Sequence, residues 1–285
     1  MPRNSNPLIL ALTGDYFFIP RLEDAASALG YELEVVEAPS AFGADGEPDA
    51  RQIPLTEPLR GPDAAFMRAI VDRQPALILV DVTSQQIPWE RWTQILKTSA
   101  STLRIPIIAF GPHVESQVLE RARAAGADHV ISRGKLQASL AELIQEHARV
   151  VDLDALKEAC QGVLSELAAE GLRLLNSGDY YEAHESLENA WLEASEWEGY
   201  LYRTLLQVSV AYLHVEKGNY AGAIKMLLRV RQWLDPLPDQ CRGVDTAALQ
   251  SNVESFSEAV HQAGESGFSE LDRSLLKPIP VIAKA

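Results

Sequence analysis

The feature that most constrains this chain is the rhythm of its first half. Short apolar runs, each halted near Gly or Asp, alternate with stretches whose apolar residues recur at helical spacing. Residues 7–12 (PLILAL) read as a buried strand stopped by Gly14, residues 20–29 as a helix, and residues 33–36 as a second strand. The rhythm continues with a helix over 63–72, a strand over 76–80 ending at Asp81, and a helix over 89–98. A strand over 105–110, a helix over 115–125, a strand over 129–132 and a closing helix over 136–146 complete it. Such alternation predicts an α/β unit: a parallel five-stranded sheet with helices on both faces. Residues 40–62, rich in Pro and Gly, read as an irregular insertion after the second strand, placed to cover the sheet edge.

From Val151 the pattern becomes helix after helix with no strand signal. Leu153, Leu156, Val163, Leu167, Leu172 and Leu175 keep near-helical spacing until Asn176, Ser177, Gly178 and Asp179 stop the run. Further helices are predicted over 180–193, 200–217, 220–234 and 246–262. Two hexapeptides repeat, GDYYEA from Gly178 and GNYAGA from Gly218. Each sets Gly at a turn, Tyr in the first helical turn and Ala where a neighbouring helix approaches, the device of helical hairpins.

A chain of 285 residues accommodates two such units. The expected division is an α/β domain over 1–149, an all-α helical-hairpin domain over 150–265 and an extended tail over 266–285. With 40 acidic against 25 basic residues the net charge is −15, and the C-terminal half is the more acidic. Nucleic acid is bound by releasing counterions from Lys and Arg, so this balance disfavours DNA or RNA as a partner. No apolar run is long enough for a membrane span, and the N-terminus lacks a signal peptide's apolar stretch, which gives cytoplasm as the expected location. Cys160 and Cys241, far apart and in no CxxC pattern, read as free thiols.

ILVD at the third strand and GADHVIS around the fifth resemble the receiver domain of bacterial response regulators, over nearly the whole first half. The resemblance implies a flavodoxin-like fold, with Asp81 at the phosphoacceptor position. The acidic pair that holds magnesium in that family is reduced here to Asp15, after Thr13 and Gly14. Magnesium wants several oxygen ligands in a near-octahedral set, so the site is thinned. The family's hydroxyl position falls on Gly111, its lysine on Arg133 and the proline after it on Gly134. Arginine does not reproduce lysine's geometry. A pseudo-receiver is therefore expected, with Asp81, Asp15 and Arg133 as the candidate phosphoacceptor region. His113, in a Gly-Pro loop beyond the fourth strand, reads as a turn residue at the sheet edge where such folds bind ligands.

LNSGDYYEAHESLENAW, followed by LLQVSVAYLHVEKGNYAGA, resembles a family of small helical proteins known as domain-of-unknown-function family three-oh-nine. That resemblance implies a fold and no activity. On the residues alone, His184, Glu188 and Trp191 share one helix face, and Gln207, Ala211 and His214 share a face of the next. If the faces meet, His184, Glu185, Glu188, Gln207 and His214 form a polar cluster. Two readings of it stand: a hydrogen-bonded network pinning two helices, or a divalent metal held by His184, Glu188 and His214. Neither the HExxH spacing of zinc hydrolases nor the repeated Glu-x-x-His of di-iron bundles is present.

Functionally, the sequence points to a regulatory or scaffolding protein rather than an enzyme. It would bind an unidentified protein partner or small ligand, and the one cofactor the residues suggest is a divalent metal. The alternatives are a metal-dependent hydrolase, with Glu185 or Glu182 as base beside the His184, Glu188 and His214 cluster, and a response regulator phosphorylated on Asp81.

Overall fold

A computed structural model describes residues 6–43, 50–53 and 58–282 of the chain. The chain forms two units, Met1–Val150 and Val151–Ala285.

In the first unit the apolar runs become five parallel strands: β1 (Leu8–Leu12), β2 (Glu32–Val36), β3 (Leu77–Asp81), β4 (Ile107–Gly111) and β5 (His129–Ser132). Their order, β2-β1-β3-β4-β5, is the flavodoxin-like order expected for a receiver-like domain. The connecting helices are α1 (Ile19–Ala28), α2 (Gly61–Arg73), α3 (Trp89–Thr98) and α4 (Ser116–Ala124), followed by α5 (Arg133–Ala138) and α6 (Leu140–His147). The closing helix is thus two helices, parted at Ser139, whose φ and ψ of −128° and 27° leave the helical region. Alternate strand side chains face opposite ways. Ile9, Ala11, Leu77, Leu79, Ile108 and Phe110 form one core with Phe18 and Leu22 from the start of α1 and Leu136, Leu140 and Ile144 from α5 and α6. Every β3 and β4 residue is buried, the mark of strands covered on both faces.

The insertion begins as a short 3₁₀ turn, Pro39–Phe42. Phe42 packs on Phe66 of α2 and Trp92 of α3, so this end lies against helices rather than a sheet edge. Buried Asp63 holds Arg91 at 2.6 Å, and Arg91 donates to the Arg51 carbonyl at 2.7 Å. Residues 44–49 and 54–57 of the insertion lie outside the described residues, as do 283–285 of the tail.

The second unit contains α7 (Leu153–Ala159), α8 (Glu166–Ser177), α9 (Tyr180–Glu193), α10 (Glu198–Glu216), α11 (Tyr220–Leu234) and α12 (Thr246–Gly267). Helices α8 to α11 pack as successive antiparallel neighbours, and α12 packs on α11. The hexapeptide repeat is structural. Gly178 and Gly218 adopt φ of 87° and 64°, and the following Asp179 and Asn219 cap α9 and α11 by accepting from the amides of Glu182 and Gly222. Ala183 and Ala223 are wholly buried.

Three expectations for this half are corrected. The run from Leu153 to Leu175 is broken into α7 and α8 by residues 160–165, where Gly162 leaves room for the Arg242 guanidinium: a Cβ there would lie 3.0 Å from it. The unit is not purely helical, because β6 (Gln240–Cys241) and β7 (Val244–Asp245) form a hairpin too short to show strand periodicity. Cys160 and Cys241 are not free thiols but a disulfide, closing a sequence separation of 81 that no local pattern announces. Residues 266–282 fold onto the helical unit: Phe268 and Ile279 are buried, and Asn176 both donates to and accepts from the Ile279 backbone.

Candidate functional site

β1, β3 and β5 each end at the same edge of the sheet, the carboxyl edge where open α/β folds bind ligands. Asp15 follows β1, Asp81 is the last residue of β3, and Arg133 opens α5 directly after β5. The three candidates named from sequence therefore converge. Arg133 donates one terminal nitrogen to Asp15, and the other to Asp81 at 2.8 Å and to the Thr83 hydroxyl at 3.1 Å. Asp81 is 2% exposed, and both its carboxylate oxygens are engaged. One also accepts from the Thr13 hydroxyl at 3.0 Å; the other accepts from the Thr83 amide at 3.0 Å and the Thr83 hydroxyl at 2.6 Å.

These contacts line a polar cleft of about 380 Å³ with Gly14, Tyr16 and Glu37 at its margin. The Tyr16 hydroxyl donates to Glu37 at 2.6 Å, and this hydrogen bond to a carboxylate raises the Tyr16 pKa. Gly111 is more than a missing hydroxyl. A Cβ there would stand 2.6 Å from Val82 Cγ2, so the side chains around β4 have closed over the space a serine or threonine would need. Thr13 and Thr83 were not singled out for roles from sequence, because their value depends on Asp81 lying between them. His113 is an exposed turn residue, as read.

In the helical unit, His184, Glu185 and Glu188 bring one ligand atom each within 4.8 Å of one another. All three sit on α9, and His184 Nδ1 is 3.3 Å from Glu185. An imidazole and two carboxylates on one helix face form a donor set that a divalent cation accepts, yet the group is half-open to solvent. His214 lies elsewhere. Its ring packs against Gly222 on α11, where a Cβ would come within 2.4 Å of Nδ1, and burial pushes its pKa down. Gln207 is buried with its Oε1 lacking a hydrogen-bond partner among the described residues. The α9 face carrying Trp191 does meet α10, but through Arg203, whose guanidinium lies 4.5 Å from the Trp191 ring and 4.2 Å from Trp233 of α11.

Residues 168–226 match the family model described as Domain of unknown function (DUF309). An uncharacterized protein of Aquifex aeolicus (strain VF5) is 29% identical over 91 residues, which cover 32% of this chain and 27% of that protein. The matched segment thus spans about a quarter of the length of that curated relative. Among solved structures, the receiver domain of sensor histidine kinase PA1611 from Pseudomonas aeruginosa PAO1, itself with magnesium in its active-site cleft, is 16% identical at a TM-score of 0.37. The alignment covers 50% of this chain and 97% of that one. The signal receiver domain of a DNA binding response regulator from Colwellia psychrerythraea 34H is 14% identical at a TM-score of 0.36, covering 49% and 99%.

Proposed function

We propose that this protein is a regulatory or scaffolding protein whose receiver-like unit works as a binding module without being phosphorylated. The helical unit, joined to it in one chain, carries a second binding surface for a protein partner or small ligand.

The observation that supports this reading is the engagement of Asp81. A phosphoacceptor must present a free carboxylate oxygen as nucleophile and needs a cation to offset the incoming phosphoryl charge. Here both oxygens accept hydrogen bonds, and the charge between Asp15 and Asp81 is met by the tethered guanidinium of Arg133. An internal cation of this kind makes the cleft a fixed polar surface.

The test is incubation with acetyl phosphate and magnesium, followed by intact-mass measurement. The expected result is no phosphorylated species under conditions that label an active receiver domain run alongside. Stoichiometric labelling, lost in Asp81→Asn, would replace this reading with that of a phosphorylated response regulator.

A further inference from the structure

The hairpin β6–β7 is the junction of the helical unit. Its turn residues, Arg242 and Gly243, have φ of 50° and 84°, the left-handed pair that a tight two-residue hairpin requires. On one side the hairpin meets the tail: Val244 bridges Val281, Asp245 donates its amide to the Pro280 carbonyl at 3.0 Å, and Ile282 donates to Gly243 at 2.8 Å. On the other side it meets the end of α7. Arg242 donates its amide to the Cys160 carbonyl at 2.8 Å, Nε to Ala159 at 2.9 Å and Nη1 to Val163 at 2.5 Å, while Nη2 pairs with Glu198 at the start of α10. The bond between Cys160 and Cys241 lies across this same contact.

We infer that Cys160–Cys241 is a reversible thiol–disulfide site, reduced by a dithiol, whose opening releases α7 and the hairpin while the helices α8 to α11 stay packed. Two observations carry this. First, α7 has seven residues and buries only Leu156, so it is too short to persist unless tied at its ends. Asp152 caps one end and Cys160 closes the other. Second, α8 to α11 pack chiefly on one another through Leu172, Leu187, Leu205, Leu227 and Trp233, whereas α7 and the hairpin adjoin that core only through Leu156, Cys160, Cys241 and Val244.

The chemistry balances as ordinary exchange. A thiolate of the dithiol attacks one protein sulfur, the S–S bond breaks, and its electron pair leaves on the other cysteine. The second thiol of the reductant then displaces the first cysteine, so the protein gains two electrons and two protons and the reductant departs as a disulfide. Cys160 and Cys241 are 6% and 2% exposed, so attack follows a local opening of α7 rather than striking the closed surface. Because α7 is the first element after Val150, the bond fixes where the chain enters the helical unit.

The experiment uses the full chain, oxidised and then treated with dithiothreitol, alkylated under native conditions and compared by mass and hydrogen exchange. Expected are no adducts before reduction and two after it, with faster exchange over residues 151–163, 240–245 and 279–282, unchanged exchange over α8 to α11, and recovery on reoxidation. A Cys160→Ser, Cys241→Ser variant should reproduce the reduced pattern; the chemical reduction stands alone where that variant does not fold. The inference is overturned by two free thiols in oxidised protein, by an exchange pattern that reduction leaves unaltered, or by loss of protection throughout the helical unit.

Discussion

The Arg133 guanidinium reaches Asp81 at 2.8 Å while its other terminal nitrogen holds Asp15, so one side chain ties together the ends of β1, β3 and β5. Asp81's side chain is 3% exposed and Arg133's 27%. Removing one partner of a buried pair costs about 3–5 kcal/mol, and the partial exposure of Arg133 lowers that expectation. Arg133→Ala should therefore lose about 2–3 kcal/mol from the first unit in urea unfolding, with Arg133→Lys intermediate because lysine lacks the fork that spans two carboxylates. A change below about 0.5 kcal/mol, the range of an ordinary surface substitution, would show that the guanidinium is not what holds the cleft.

Magnesium should distinguish the same variants. In wild-type protein the Arg133 guanidinium already stands between the two carboxylates and offsets one of their two charges, so its unfolding midpoint should not move with added magnesium. Arg133→Ala leaves Asp15 and Asp81 facing each other uncompensated, and a cation bound between them would stabilise only the folded state. Its midpoint should rise with magnesium concentration. The opposite pattern, a response in wild type and none in the variant, would mean that Arg133 helps to recruit the ion.

Glycine inside a helix is normally worth replacing: Ala gains about 1 kcal/mol. Gly222 should behave the other way. A Cβ at that position meets three atoms of the His214 ring at 2.4 to 2.6 Å, so Gly222→Ala forces α10 and α11 apart or expels the imidazole. A loss of about 1–3 kcal/mol is expected, the usual cost of overpacking. The double variant with His214→Ala should recover most of it. Failure of that rescue would place the strain in the backbone rather than the ring.

Much of this architecture is legible because it is local. The five apolar runs read as strands in the first half are strands, and the Gly-Asp and Gly-Asn repeat marks both caps because αL glycine and a capping side chain are properties of a few adjacent residues. Asp81, Asp15 and Arg133 are found together because parallel strands all end at one edge. What is lost is set by distant partners. Gly162 reads as one weak residue in a helical run until Arg242 arrives beside it, and the pairing of Cys160 with Cys241 has no periodicity to betray it. His214 shows the limit most clearly. Helical spacing fixes the side of α10 it occupies, but not whether its ring settles toward α9 or over Gly222 of α11.

Two histidines should make stability fall with acid. His129 of β5 stacks on His147 at 3.8 Å, and burial together with the His147 charge lowers its pKa below the ordinary 6.5; burial and Lys217 do the same to His214. Asp128 and Glu146 oppose the shift at His129 without reversing it. A pKa lower in the folded state means that the unfolded chain binds more protons, so the stability present above about pH 6.5 is lost as the pH falls toward the folded value. Melting temperature should drop between pH 7.5 and 5.5. His129→Asn should flatten the profile of the first unit's transition and His214→Gln that of the second. A profile unchanged by both would assign the acid sensitivity to the carboxylates instead.

Metal binding separates the α9 cluster from the wider one that helical spacing suggests. His184, Glu185 and Glu188 converge within 4.8 Å on one helix, whereas His214 is engaged with Gly222, so any divalent cation taken up by the helical unit should depend on the first three alone. Zinc titrated by calorimetry against untagged protein should lose its binding isotherm in His184→Ala and keep it in His214→Ala. Three ligands half-open to water leave a cation partly hydrated, so the isotherm should be weak. Loss of binding in His214→Ala with the fold intact would require α10 to turn that ring toward α9 when the ion arrives. The two single variants therefore decide between a site built on one helix and one assembled from two.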